Sequence, residues 1–217
     1  MVEAETFEFL ADLAANNRKA WMDAHRPERD DALRNFMGIA ITLHDYADRF
    51  DPYLADAKFK PKQSYSKFFQ ESRDRLGRDL YRAEVDVFAN AGNPDEEVGY
   101  YLHIEPGNCH AGAGLFRPSK VGLAALHRRL QDEPKGLDEI VADPDFKAVF
   151  ADGIVTRKML STVPSGFDDK DPAAPYLKMV GLGCRKDLPD ALLLDDDAID
   201  ELIDIFRAAS PLVRFFA

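Results

Sequence analysis

The residues best suited to chemistry lie close together near the middle of the chain. Tyr101, His103 and Glu105 precede Pro106-Gly107, and Asn108 and His110 follow it. An imidazole within reach of a carboxylate can perform acid–base work, because histidine titrates near neutral pH and the carboxylate orients the ring and favours its charged form. Two imidazoles with a carboxylate nearby would also suit a divalent metal. The remaining readings are a ligand site without metal and a plain solvated sheet face.

Whether these groups meet depends on a hairpin. Val98, Tyr100, Leu102 and Ile104 alternate with Tyr101, His103 and Glu105, which is the period of a strand. Proline at the second turn position and glycine at the third is a type II signature, and residues 108 to 116 read as the returning strand. With a two-residue loop, Glu105 faces Asn108, Ile104 faces Cys109, His103 faces His110 and Tyr101 faces Gly112. Opposed Cβ atoms then stand roughly 4.5–5.5 Å apart. One face presents Tyr101, His103, Glu105, Asn108 and His110, beside Gly112 and Gly114, which leave room for a ligand to approach the backbone. The other, with Tyr100, Leu102, Ile104, Cys109, Ala111, Ala113 and Leu115, is the core face. A one-residue bulge would separate the two histidines.

A second candidate region precedes the hairpin. Residues 56 to 82 hold Lys58, Lys60, Lys62, Lys67, Arg73, Arg75, Arg78 and Arg82 in a chain whose formal net charge is −11. The stretch reads either as a solvated connector or as an anion site for phosphate or carboxylate groups. The acidic balance argues against nucleic acid as a partner, since binding it needs clustered cations to release counterions. No apolar run approaches the roughly 18 residues that span a bilayer. Met1 to Leu10 has no basic n-region of a secretory signal. Cys109 and Cys184 are expected as reduced, buried thiols of a cytoplasmic protein. The glycine pair Gly112 and Gly114 lacks the following helix of a dinucleotide site, and Ser165 sits in turn chemistry rather than a nucleophile elbow. No metal-ligand set is assigned, and the sequence specifies neither a cofactor nor an oligomeric state.

The elements that must position these groups are legible from periodicity. Phe7, Leu10, Leu13 and Ala14 fall at helical spacing, and Asn16-Asn17 stops that helix before a short segment with Trp21. From Pro27 a long amphipathic helix carries Leu33, Phe36, Met37, Ala40, Ile41, His44 and Ala47 and ends near Phe50. Val85 and Val87 suggest a strand. Ser119 caps a helix with Leu123, Leu126 and Leu130, and Asp143-Pro144 opens another with Phe146, Val149 and Phe150. Leu177 to Cys184 reads as a strand. Asp195 to Asp197 begins a final helix with Ile199, Leu202, Ile203 and Phe206, and Pro211 restarts the chain towards Phe215 and Phe216. The expected fold is a single α+β domain over residues 1–217, a central antiparallel sheet with a Pro-Gly hairpin flanked by helices.

The same residues carry a family resemblance. Phe9-Leu10 to Asn16-Asn17-Arg18 with Trp21, the run Tyr100 to Gly107, and Gly112 to Pro118 resemble the family catalogued as domain of unknown function 2461. Pro164-Ser165-Gly166-Phe167 and Tyr176-Leu177-Lys178 add to the likeness. Members typically carry R-F-S-K-D-K-x-P-Y-K before the hairpin. Here Arg73, Arg78, Tyr81 and Arg82 match its Arg, Lys, Tyr and Lys without the Ser-Lys-Asp centre, or Tyr65-Ser66-Lys67 matches the centre with an insertion before Tyr81. His103 and Glu105 match the family, whereas His110 stands where an apolar residue is more usual. The resemblance implies a fold and no agreed activity. The resulting candidates are Tyr101, His103 and Glu105 as catalytic groups, and Arg73, Arg78, Tyr81, Arg82, Gly112 and Gly114 as contacts for a small anionic ligand. The alternatives are a protein-interaction module and a metal-dependent hydrolase.

Overall fold

The strict alternation around Pro106-Gly107 dictates the centre of the molecule. A computed structural model describes residues 1–55, 59–68, 80–90, 98–115 and 118–216. In it β1 (Val85–Asn90), β2 (Val98–Ile104), β3 (His110–Leu115) and β4 (Leu182–Asp187) form one antiparallel sheet in the order β1-β2-β3-β4. The hairpin register is the expected one, with His103 opposite His110 and Tyr101 opposite Gly112. Gly107 has φ of +80°, and Asn108 N–H donates to the Glu105 carbonyl at 2.8 Å, which closes the type II turn.

Before the sheet come α1 (Ala4–Ala15), α2 (Lys19–Ala24), α3 (Arg26–Asp45) and the single turn α4 (Pro52–Ala55). After β3 come α5 (Lys120–Asp132), α6 (Gly136–Ala142), α7 (Pro144–Val149) and α8 (Ala174–Leu177), and β4 is followed by α9 (Asp190–Leu194) and α10 (Ala198–Phe216). Helix α3 packs against β1, and α10 lies along β3 and β2. The rings of Phe50, Tyr100 and Phe206 meet at centroid distances of 5.1–5.3 Å between sheet and helix. Within this layer the Tyr100 hydroxyl donates to Asp51 Oδ2 at 2.7 Å, and Asp51 is only 1% exposed. Burial, then the bond to Asp51, pushes the phenol well above its ordinary range. Cys109 and Cys184 are free buried thiols, each pushed up to about 12 by burial.

Four element readings need correction. Helix α3 stops at Asp45 and gives way to a 3-10 turn over Ala47–Arg49, so the chain turns five residues before Phe50. Its buried stripe is Ala32, Phe36, Ile39, Ala40 and Leu43, while Ile41 is exposed; the stripe is rotated from the expected one because α3 packs against α1 as well as β1. Residues 174–177 are helical, with Pro175 in the first turn. The strand waits until Leu182, after Gly181 turns the chain at φ +80°. Pro211 does not restart the chain but lies inside α10. An interior proline costs about 3 kcal/mol, and each large apolar side chain buried beyond it returns roughly 1.5–3 kcal/mol. Leu212, Val213 and Phe215 are all buried, so the helix continues.

Candidate functional site

The register that defines the core face also defines the opposite one. Asp86 pairs with His103, His103 with His110, and His110 with Asp187, so a carboxylate–imidazole–imidazole–carboxylate row crosses all four strands. The next row is Phe88, Tyr101, Gly112 and Arg185.

At the centre of the first row, His103 Nδ1 lies 2.7 Å from Asp86 Oδ1 and His103 Nε2 lies 3.3 Å from Glu105 Oε2. Ionised carboxylates only accept, so both contacts call for a donating ring nitrogen and favour the imidazolium form. Burial alone would lower its pKa, but the Asp86 bond and charge, followed by those of Glu105, hold it above the ordinary histidine range. Burial correspondingly works to raise Asp86, and the bond and charge of His103, then Arg82, outweigh it and hold the carboxyl low. Arg82 Nη2 donates to Asp86 Oδ2 at 3.0 Å and Arg82 Nε to Glu84 Oε1 at 2.9 Å. Asp86 N–H donates to Ser66 Oγ at 2.9 Å, and Asn108 Nδ2 donates to Glu105 Oε2. Arginine, aspartate, histidine and glutamate thus form one continuous, half-buried network.

His110 stacks on His103, with ring centroids 4.4 Å apart and 24° between planes, and meets the Tyr101 ring edge-on at 5.6 Å. Burial keeps the Tyr101 phenol protonated far above neutrality. Gly112 and Gly114 serve the sheet rather than an open approach. A Cβ on Gly112 would fall on the Cys184 carbonyl oxygen, and one on Gly114 on the Leu182 carbonyl oxygen and the backbone of Gly183. The room expected in front of them is taken by β4.

Arg73 and Arg78 lie outside the described residues. Leu80 and Tyr81, just before Arg82, are fixed by Asn17, whose Oδ1 accepts from Leu80 N–H and Tyr81 N–H at 2.9 Å and whose Nδ2 donates to the Tyr81 carbonyl at 2.8 Å. Arg82 N–H also donates to the Phe68 carbonyl at 2.6 Å. Ser66 and Arg82 face Asp86, whereas Tyr65 and Tyr81 turn to the other side of the sheet edge. There they line a cleft of about 330 Å³ against α2 and α3, together with Lys62, Lys67, Arg29 and the carboxylate Asp23, which is paired with Lys19 and Arg26. Among the described residues Lys62 and Lys67 have no ion-pair partner, while Arg29 is bonded to Asp30.

Sequence reasoning missed Asp86, Glu84, Ser66 and Asn17. Asp86 had a signal, since it alternates with Val85 and Val87, but its partner is set by the β1–β2 register. Among the described residues no cluster of three or more His, Cys, Asp or Glu is arranged to hold a metal. Both nitrogens of His103 are already committed as donors.

The architecture and this site define an α+β protein with a charged histidine network on the outer face of its sheet. No curated protein and no solved structure matches the chain. One family model does, over residues 5–215, and the chain belongs to that family, described as Conserved hypothetical protein (DUF2461).

Proposed function

We propose that this protein binds a small organic anion, carrying carboxylate or phosphate groups, in the cleft between the basic segment and α2–α3. The observation that supports this most directly is the pair Lys62 and Lys67, which line a 330 Å³ cleft whose carboxylate, Asp23, is already paired with Lys19 and Arg26. In a chain of net charge −11, two such cations lining one cleft form a local positive site that attracts an anion. Tyr65 and Tyr81 supply apolar walls and hydroxyls of the kind that orient a ligand. Because Arg82 follows Tyr81 directly, the same short segment joins the cleft to Asp86 and His103. In this reading His103, Glu105 and Tyr101 keep that segment and the hairpin in register rather than touching the anion.

The test is thermal unfolding and calorimetry of extensively dialysed protein titrated with inorganic phosphate, then with citrate as a compact carboxylate. The native chain is expected to gain stability with at least one of them. The double variant Lys62→Ala/Lys67→Ala should lose the gain while keeping its ligand-free melting temperature. Equal gains in both proteins, or none in the native chain with either anion, would remove the proposal.

A further inference from the structure

His110 differs from its stacked neighbour in one respect that bears on chemistry. Its Nδ1 lies 3.1 Å from the Asn108 carbonyl oxygen. A carbonyl only accepts, so Nδ1 carries the proton, and in a neutral ring the lone pair then resides on Nε2. Among the described residues that nitrogen has no hydrogen-bond partner. His103 is the reverse, with both nitrogens donating to carboxylates. From these contacts we infer that His110 Nε2 is a proton-accepting site on the outer face of the sheet, built to receive an O–H or N–H group of a ligand.

Charge supports the assignment. The groups facing His110 are His103 and Tyr101 from β2, with Asp86 behind them on β1, Arg185 and Asp187 from β4, and Asn108 from the turn. A second proton would place two imidazolium rings face to face at 4.4 Å. Asp187, the carboxylate opposite, is already engaged by Arg185 at 2.7 Å. Burial first, then the His103 charge, accordingly hold His110 below the ordinary histidine range. One ring of the stack therefore keeps the charge and the other keeps the lone pair, a division that places an acid and a base side by side. This site is independent of the lysine cleft.

Histidine-selective nitrogen NMR over pH 4.5–9, assigned with single-site variants, reads the proposal directly. His110 is expected to be neutral at pH 7 with its proton on Nδ1, and His103 to carry both protons. In His103→Gln the His110 midpoint should rise by about half a pH unit or more, as removal of a like charge requires. Glu105→Gln, which leaves the stack in place, provides a second perturbation should His103→Gln not fold. Diethyl pyrocarbonate, an electrophile for unprotonated imidazole, should modify His110 at least tenfold faster than His103 at pH 7. A proton on His110 Nε2, a charged His110 at pH 7, or equal modification of the two rings would overturn the inference.

Discussion

Asp86 and His103 stand opposite one another across the β1–β2 ladder, and the carboxylate receives the ring's Nδ1 proton at 2.7 Å. The bond ties an outer strand to the hairpin on the side away from the core. Replacing Asp86 by asparagine leaves the imidazolium without its main counter-charge. Urea denaturation of Asp86→Asn should show a loss of about 2 kcal/mol, the scale of a hydrogen bond to a charged group. NMR should show the His103 midpoint falling towards or below the free-histidine value.

The same pair sets a pH dependence. The folded His103 has a raised pKa, so its contribution is fully present below the unfolded value of 6.5 and is lost as pH rises through the folded value. His110 acts in the opposite sense: its folded pKa is lowered, so its contribution is present above 6.5 and lost as pH falls through the folded value. Substituting His110 by phenylalanine, which preserves the stack, should reduce the fall on the acid side of 6.5, where His127 still contributes, and leave the fall on the alkaline side. Chemical denaturation at half-unit pH intervals separates the two.

Asn17 holds residues 80 and 81 with three hydrogen bonds. Asn17→Ala removes all three, a loss of about 2–3 kcal/mol. Hydrogen exchange should accelerate at Leu80 and Tyr81 well before it does at β2 and β3. The variant should also weaken any stabilisation by phosphate or citrate.

Gly112→Ala should be destabilising by about 2–3 kcal/mol, because its methyl group would overlap the Cys184 carbonyl and the β3–β4 pair would have to spread. A melting temperature within error of the native protein would show that β4 does not approach so closely. Tyr100→Phe should cost about 1–3 kcal/mol by taking the hydroxyl from the buried Asp51.

The hairpin was written in local chemistry. Alternation on either side of a Pro-Gly bend specifies its strands, its turn and its register, because a two-residue loop allows only one pairing in which the apolar set shares a face. That is why His103 and His110 could be set opposite one another from residue types alone, and why Ser119 and Asp143, each capping a helix through its own neighbours, were equally readable. Everything that joins distant segments was decided elsewhere. Asp86 reaches His103 across seventeen positions because β1 pairs with β2, and Asn17 reaches Tyr81 across more than sixty. Pro211 stays helical because the sheet and its neighbouring helices offer a surface on which the residues after it are buried. A sequence states which groups an element can present. Which of them meet depends on how the burial of its apolar faces orients the elements, and that is a property of the whole chain.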